Sequence, residues 1–365
     1  MFRFVHAADF HLDSPFRALP PREAAVRRRE SRELPQRLAD YVNQNEIDLV
    51  LLAGDLLDSG EPYRETEEAL WGALTAMDAP VFIAPGNHDP YTAGSPWERR
   101  EWPPNVHIFT SPCMESAEVP ALNAVIHGAA FTGPEQTCRV LEGFAAPEDG
   151  RVHIGLLHGE LDAADIRYGA VSRQEIAASG LAYLALGHIH KRGEPACYGE
   201  TLTAWPGCPE GRGFDEMGEK GFYLGTVRDD GTVTVEFVPF ARRRYEILTV
   251  DVTGKMPRQA VEAALPPDTA DHLYRILLTG EAGEGGADAV GLQAALAERF
   301  YALEIRDHTR PAEEVWARAG EDSLRGLFLR NLKEKYDAAA DETERETVLQ
   351  AVRFGLAALD RRDMG

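Results

Sequence analysis

The chain has 365 residues, 44% of them hydrophobic and 27% charged, which is enough for one large domain and one or two smaller ones. Its formal net charge is −22, which argues mildly against a protein that coats nucleic acid, because nonspecific affinity comes from Lys and Arg on phosphates. Any contact with DNA should therefore be local, metal-assisted or shared with a partner. The sequence shows neither an apolar run of membrane length nor a secretory signal, which predicts a cytoplasmic protein without membrane contact. Its cysteines lack paired spacing, which predicts reduced thiols and no disulfides.

Short apolar runs alternate with polar or glycine-containing turns as far as Leu186, and helical patterns at 22–44 and 66–77 separate several of them. Strands that alternate with helices predict an α/β core. The predicted buried strands are 2–8, 49–53, 81–84, 125–126, 153–157 and 181–186.

The pattern changes further along the chain. Residues 221–227 and 232–237 alternate around Asp229-Asp230-Gly231, which predicts a β-hairpin. A second α/β unit should then follow, with the glycine-rich segment 280–286 as an exposed loop, and 323–360 should be wholly helical with a turn at 338–341. Its predicted strands are 245–252, 273–279 and 303–306, and its predicted helices are 257–265 and 290–300.

Nearly every apolar strand of the first domain runs into Asp, Asn or His. In open α/β sheets, ligands bind at the carboxyl ends of the strands, so these turns could converge on one site. Residues two apart on an extended chain point the same way, which suits an Asp-x-His and a His-x-His pair. The candidate metal ligands are Asp9, His11, Asp55, Asn87, His158, His188 and His190.

The types of ligand indicate which ion would bind. Carboxylate, imidazole and amide oxygen together suit Mn, Fe or Zn better than Ca or Mg. Seven ligands are too many for one ion and suit two, if a carboxylate bridges them. Each motif alone is weak, because a single histidine at a strand end is usually structural, and we interpret His6, His107, His127 and His153 in that way. The ordered set predicts a two-metal centre.

The order of these motifs resembles that of the calcineurin-like metallophosphoesterases. The run His6-Ala-Ala-Asp-Phe-His-Leu-Asp-Ser-Pro-Phe16 is similar to the YhaO group, relatives of SbcD, the nuclease subunit of the SbcCD DNA-repair complex. The resemblance implies an α/β fold: a metallophosphoesterase-type two-sheet sandwich flanked by helices, a small α/β capping domain and a helical C-terminal tail. The implied boundaries are 1–241 for the nuclease domain, 242–320 for the cap and 321–365 for the tail.

The resemblance also implies a division of labour among the site residues. One ion would bind Asp9, His11 and His190, and the second would bind Asn87, His158 and His188, with Asp55 bridging both. His88 would face the scissile phosphate and protonate the leaving oxygen or stabilise charge on the phosphoryl group. Asp58 is similar to the carboxylate that pairs with that histidine in related phosphatases, and Asp89 would brace its own turn.

The implied activity is Mn-dependent hydrolysis of DNA phosphodiesters, as the exo/endonuclease subunit of an SbcCD-like repair complex. The tail would then bind an SbcC-like coiled-coil ATPase, although it could instead complete the core. A homodimer is also implied, because relatives are commonly dimers.

Two other functions stay open. A small-molecule or nucleotide phosphodiesterase, or a protein phosphatase, is favoured by the negative charge. A non-catalytic subunit that binds DNA ends or forms a scaffold is opposed by the intact ligand set. The arginine runs at 27–29, 99–100 and 242–244 could contact phosphates, but solvated faces paired with Glu are the favoured interpretation. Tyr168 and Trp205 could line the site or simply belong to loops.

Overall fold

A computed structural model of the protein describes residues 1–136, 138–164, 166–283 and 286–359. The chain divides into two compact units, Met1–Arg242 and Arg243–Gly365. None of the described helices combines the length and the apolar character that a membrane span requires.

The N-terminal unit alternates strands and helices along its first half, as its apolar runs predict. Its helices are α1 (Pro21–Gln44), α2 (Arg64–Thr75), α3 (Pro96–Arg99) and α4 (Arg173–Ala178), with a 3₁₀ turn at Pro120–Leu122. Its strands are β1 (Phe2–Ala7), β2 (Leu49–Leu52), β3 (Val81–Ile83), β4 (Val106–Ile108), β5 (Glu115–Val119), β6 (Ala124–Gly128), β7 (Val152–His158), β8 (Tyr183–Gly187), β9 (Ala196–Tyr198), β10 (Thr201–Ala204), β11 (Gly221–Val227) and β12 (Val233–Pro239).

These strands form two sheets of six described strands each. The first has the order β12-β11-β1-β2-β3-β4, and the second has the order β5-β6-β7-β8-β10-β9. Strands β1 to β4 are mutually parallel, and so are β6, β7, β8 and β10. The carboxyl ends of the parallel strands therefore lie along one edge of each sheet, where the predicted ligands follow.

The two sheets face each other across an apolar core. Phe4 of the first sheet and Tyr183 of the second are both fully buried, with ring centroids 4.9 Å apart. Leu49 and Ile126 belong to the same core cluster. Alternate strand residues point to opposite faces, so a second cluster forms on the other face of the first sheet, where Leu38 of α1 and Leu70 of α2 pack. The predicted two-sheet sandwich with flanking helices is confirmed.

Some elements of this unit differ from the sequence-based expectation. The patterns at 22–44 and 66–77 correspond to α1 and α2, which begin at Pro21 and Arg64. The apolar strand predicted around His107 is β4, whereas β5, β9 and β10 were not predicted. They are short, and β5 (Glu-Ser-Ala-Glu-Val) is largely polar, so no apolar run marks them.

The C-terminal unit contains a three-stranded parallel sheet and two long helices. The short strand β15 (Glu281–Ala282) pairs in parallel with β17 (Arg310–Pro311), so part of the predicted exposed loop at 280–286 is a strand. Residues 284–285 of that loop lie outside the described residues. Its elements are β13 (Tyr245–Asp251), α5 (Pro257–Ala264), β14 (Leu273–Thr279), β15 (Glu281–Ala282), α6 (Ala289–Leu296), β16 (Ala302–Asp307), β17 (Arg310–Pro311), α7 (Leu324–Ala338) and α8 (Glu342–Leu359), with 3₁₀ turns at Ala297–Arg299 and Glu313–Gly320.

The two C-terminal helices pack within this same unit. Leu329 of α7 and Val352 of α8 are fully buried in one small apolar cluster. The guanidinium of Arg353 lies 2.9 Å from the carboxylate of Asp307, at the end of β16. Helix α8 is thereby tied to the small sheet, and a separate tail beginning at residue 321 stays a prediction.

Candidate metal centre

The loops after β1 and β2 run side by side and carry three of the predicted ligands. The backbone N–H of Asp9 donates to the carbonyl of Gly54 at 3.0 Å, and that of His11 donates to the carbonyl of Asp55 at 2.9 Å. Asp9, His11 and Asp55 have positive φ angles of 57°, 44° and 51°, and His188 has a φ of 87°. Non-glycine residues rarely adopt such angles, and strained backbone of this kind concentrates at functional sites.

Close backbone approach at two glycines brings the loops together. A Cβ on Gly86 would collide with the side chain and backbone of Asp55, and a Cβ on Gly187 would collide with the carbonyl of Ala53. Glycine at these positions lets the loops after β3 and β8 reach the loop after β2.

All seven predicted ligands meet in this region. Asp55 lies at the centre, with its Oδ2 atom 3.6 Å from His11 Nε2 and 3.3 Å from His158 Nε2. The amide oxygen of Asn87 is 3.0 Å from His158 Nε2 and 3.3 Å from His188 Nδ1. Three groups of side chains among the described residues have donor atoms within 4.8 Å of one another. They are Asp9, His11 and His190; Asp9, Asp55 and His158; and His11, Asp58 and His88.

The polar groups of the centre are incompletely satisfied by the described part of the protein. Asp9 is fully buried, and its Oδ2 atom has no hydrogen-bond partner among the described residues. The Nε2 atoms of His11 and His190 face each other at 3.0 Å. Buried carboxylates without partners are costly, and two facing imidazole nitrogens can both bind the same cation. The donor set therefore fits divalent ions of the Mn, Fe and Zn type.

The electrostatics of the centre also fit a cation. Burial raises the pKa of Asp9 to about 6, and burial lowers the pKa of His11 and of His188 to about 4 each. Burial opposes the charge of His158, but the neighbouring Asp55 outweighs it and raises the pKa of His158 to about 9. Metal binding requires neutral histidines and ionised carboxylates, and a bound cation would supply the positive charge that favours this state.

Asp89 holds two of the loops in place. Its side chain is fully buried and accepts hydrogen bonds from the backbone N–H groups of Asp55, Leu56, Leu57 and Gly86 at 2.8–3.1 Å. Asp89 thus braces the loop after β2 as well as its own turn. The carbonyl of Ala53 accepts from Nδ1 of His158 at 2.8 Å, which turns Nε2 of this histidine toward the centre.

His88 is exposed beside the centre. Its ring packs edge-on against that of His11 with centroids 4.7 Å apart. Its Nδ1 atom is 3.2 Å from the main-chain carbonyl of Asp58, not from the carboxylate. The Asp58 carboxylate instead lies 3.2 Å from His11 Nδ1 and 3.5 Å from Arg212 Nη1. The pairing of His88 with the side chain of Asp58 is not seen, and a catalytic role for Asp58 stays a prediction.

Two residues near the centre carried no signal in the sequence. Glu216 accepts from Nδ1 of His190 at 2.8 Å, and Arg212 binds Glu216. Both belong to the segment between β10 and β11, which shows neither apolar periodicity nor a recognisable motif. Tyr168, which the sequence left open, stacks on the ring of His188 with centroids 5.4 Å apart.

The weaker candidates have structural contacts. Arg27 is fully buried, and its guanidinium lies 2.8 Å from Glu30 and 2.9 Å from Glu210. His127 and His153 bond to each other through ring nitrogens 2.8 Å apart. His6 is buried against the hydroxyl of Tyr183 at 2.8 Å. These contacts agree with the structural interpretation of these side chains.

Comparison with known proteins identifies the family to which this fold belongs. Residues 2–192 match the model of the calcineurin-like phosphoesterase family. The uncharacterized metallophosphoesterase YhaO of Bacillus subtilis is 34% identical over 265 residues, which cover 68% of this chain and 63% of YhaO. The chain thus spans less than two thirds of the length of this relative.

The names of two further relatives describe a DNA-repair protein and a nuclease subunit. The DNA double-strand break repair protein Mre11 of Methanopyrus kandleri is 24% identical over 365 residues, which cover 91% of this chain and 76% of that protein. The SbcD component of the nuclease SbcCD of Bacillus subtilis is 23% identical over 258 residues, which cover 59% of this chain and 63% of SbcD. Residues 2–192 contain strands β1 to β8 and all seven predicted ligands, and the chain belongs to the calcineurin-like phosphoesterase family.

Proposed function

We propose that this protein is a Mn-dependent DNA nuclease that acts as the phosphodiesterase subunit of an SbcCD-like repair complex. The observation that carries the proposal is the meeting of seven candidate ligands around Asp55, with the exposed His88 beside them. The names of the relatives Mre11 and SbcCD support DNA as the substrate.

In this proposal the ligands divide between two ions. Asp9, His11 and His190 would hold one ion, Asn87, His158 and His188 would hold the other, and Asp55 would contribute to both. The position of Asp55 between His11 and His158 supports the bridging role. When bound, such a pair of ions activates water and neutralises charge on the phosphate. Mn is favoured by the mixed nitrogen and oxygen donors, and Fe and Zn are the alternatives.

His88 is the group of this chain that acts on the substrate. The carbonyl of Asp58 accepts from its Nδ1, which leaves Nε2 free to meet the leaving oxygen. With Nδ1–H donating to this carbonyl, Nε2 carries a proton only in the imidazolium form of His88. Delivery of that proton to the leaving oxygen, which leaves a neutral imidazole protonated on Nδ1, would contribute a factor of about 10²–10⁴ to the rate. The exposure of His88 leaves room for a phosphodiester beside the centre.

The C-terminal helices would bind a coiled-coil ATPase. Leu324 and Leu327, three residues apart on α7, are 68% and 50% exposed, and Phe354 on α8 is 53% exposed. The three-residue spacing puts Leu324 and Leu327 on one side of α7, and contiguous exposed apolar patches often mark sites that another chain covers. A homodimer and a cytoplasmic location are further parts of the proposal, and the charge of −22 restricts DNA contact to the neighbourhood of the ions or to the partner.

The net charge favours a second candidate, a phosphodiesterase for small molecules or nucleotides. The purified protein with Mn²⁺ should be assayed on linear duplex DNA, hairpin DNA and bis-p-nitrophenyl phosphate. Cleavage of either DNA, abolished by Asp55→Asn and retained by His107→Ala, supports the nuclease. Cleavage of the small ester alone supports the second candidate. No cleavage at all by a folded, Mn-loaded protein supports a non-catalytic role.

A further inference from the structure

We propose that Glu216 and Arg212 are positioning residues of the metal centre, with Glu216 fixing the imidazole of His190 and Arg212 holding Glu216. The inference rests on the proposed two-metal centre and assigns roles to side chains outside the predicted ligand set. Substitution of either residue should therefore weaken the binding of one ion more than that of the other.

The contact between Glu216 and His190 decides which nitrogen of the imidazole can bind metal. His190 Nδ1 lies 2.8 Å from Glu216 Oε1, and its Nε2 faces His11 Nε2 at 3.0 Å. A histidine that binds metal through Nε2 must carry its proton on Nδ1, where a carboxylate can accept it. Glu216 stabilises this tautomer and holds the ring with Nε2 toward the centre.

Because Arg212 lies close to His190, the carboxylate of Glu216 is needed to keep the proton of His190 on Nδ1. Its Nη2 atom also lies 2.8 Å from His190 Nδ1, and a guanidinium can only donate hydrogen bonds. If Arg212 donated to Nδ1, the proton of His190 would sit on Nε2 and block the metal. With Glu216 present, Nη2 can donate to Oε1 at 2.6 Å instead, and the backbone N–H of Arg212 donates to Oε2 at 2.9 Å.

The guanidinium of Arg212 also approaches the carboxylate of Asp58, which lies beside His11. Arg212 Nη1 is 3.5 Å from Asp58 Oδ1, and this oxygen is 3.2 Å from His11 Nδ1. The contact between Asp58 and His11 has ion-pair distance but misses hydrogen-bond geometry, so the effect at Glu216 should be the larger. His11 and His190 belong to one candidate group with Asp9, which makes that ion the one affected.

A purely structural role for Glu216 is a weaker explanation of these contacts. The main-chain carbonyl of His190 is held separately, because Lys220 Nζ donates to it at 3.0 Å. The loop therefore keeps an anchor when the carboxylate is neutralised. Glu216→Gln keeps the size of the side chain and removes the charge that favours the Nδ1–H tautomer and holds Arg212.

Titration of the full-length chain with Mn²⁺ alone, followed by calorimetry, tests the proposal. Glu216→Gln should weaken one of two Mn²⁺ sites by about 10–100-fold and leave the other unchanged. Glu175→Gln is the matched control, since it neutralises a carboxylate that also binds an arginine in two places, Arg139 Nε and Nη2 at 2.8 Å each, yet none of its described contacts reaches the centre. It should leave both sites unchanged.

Two additional variants make the result specific. The double variant His190→Ala with Glu216→Gln should bind Mn²⁺ no more weakly than His190→Ala alone, because the effect of Glu216 acts through His190. Arg212→Gln should weaken the same ion as Glu216→Gln, and it tests the proposal if Glu216→Gln fails to fold in a thermal unfolding scan.

Equal Mn²⁺ affinities in wild type and in folded Glu216→Gln would overturn the proposal, and so would equal weakening in Glu216→Gln and Glu175→Gln. A wild-type protein that takes up two Mn²⁺ ions but cuts no DNA contradicts the nuclease proposal, while the selective loss in Glu216→Gln would still support this one. A wild-type protein that takes up no Mn²⁺ contradicts both.

Discussion

The Nε2 atoms of His11 and His190 lie 3.0 Å apart, although the two residues are 179 positions apart in the chain. One imidazole could donate a proton to the other at this distance, or both lone pairs could bind one cation. The adjacent Asp9, fully buried with an oxygen that lacks a partner among the described residues, favours the cation.

Substitution of His88 should separate chemistry from metal binding. In His88→Ala, cleavage of linear duplex DNA should slow by about 10²–10⁴-fold if His88 protonates the alkoxide leaving group. Turnover of bis-p-nitrophenyl phosphate should fall less, because p-nitrophenolate leaves without a proton. The number of bound Mn²⁺ ions should stay as in wild type. His107→Ala is the matched control, because His107 lies on β4 against Phe82 and Phe109, and it should retain turnover. Loss of Mn²⁺ from His88→Ala would show that His88 is itself a ligand.

Substitution of Asp89 should destabilise the N-terminal unit without removing a ligand. Asp89→Asn replaces one of the two carboxylate oxygens with an amide NH₂ group, which cannot accept a hydrogen bond. Each oxygen accepts from two of the four backbone N–H groups of residues 55–57 and 86. Because at least two buried N–H groups lose their partner, the free energy of unfolding should fall by about 2–5 kcal/mol. Urea unfolding measures this change, and an unchanged midpoint would contradict the bracing role.

The same variant should also weaken Mn²⁺ binding, because the loops that carry Asp55 and Asn87 lose their common anchor. Titration with Mn²⁺ at a temperature where Asp89→Asn is fully folded separates this effect from unfolding. Wild-type affinity in the folded variant would mean that the loops keep their positions without Asp89.

The ion pair between Arg139 and Glu175 should make stability depend on pH in a defined window. The hydrogen bonds from Arg139 lower the pKa of Glu175 from 4.5 to about 2. A lowered carboxyl pKa contributes stability that is fully present above about pH 4.5 and is lost as the pH falls toward 2. The stability difference between wild type and Glu175→Gln, about 1 kcal/mol at pH 7, should therefore shrink on acidification. Urea unfolding of both proteins between pH 7 and pH 3 measures it, and a difference that grows toward low pH would contradict the assignment.

Apolar runs that end in ligand-type residues made the first sheet and most of the centre predictable. Strands β1, β2 and β3 are each a short apolar segment followed within four residues by a ligand, which is Asp9, Asp55 or Asn87. Because parallel strands end at one edge, their order alone indicated that the ligands meet. The two helices α1 and α2 were predictable for a similar reason, since their apolar side chains recur at helical spacing.

Other parts could not be predicted because their signals are not local. The Asp58 carboxylate contacts His11 and only the Asp58 main-chain carbonyl contacts His88, which depends on how two loops lie side by side. Glu216 lies 26 positions from His190, in a segment without periodicity, and only the folded loop gives it a partner. Strand β15 is two residues long and exists through its pairing with Arg310–Pro311.

In the proposed centre, distant loops of this chain hold two cations with Asp55 between them. Anomalous diffraction from a crystal grown with Mn²⁺ would locate these ions. We expect two Mn peaks roughly 3.5–4 Å apart, one contacted by Asp9, His11 and His190, the other by Asn87, His158 and His188, with Asp55 between them. A single peak, or no peak among these side chains, would contradict the proposed centre.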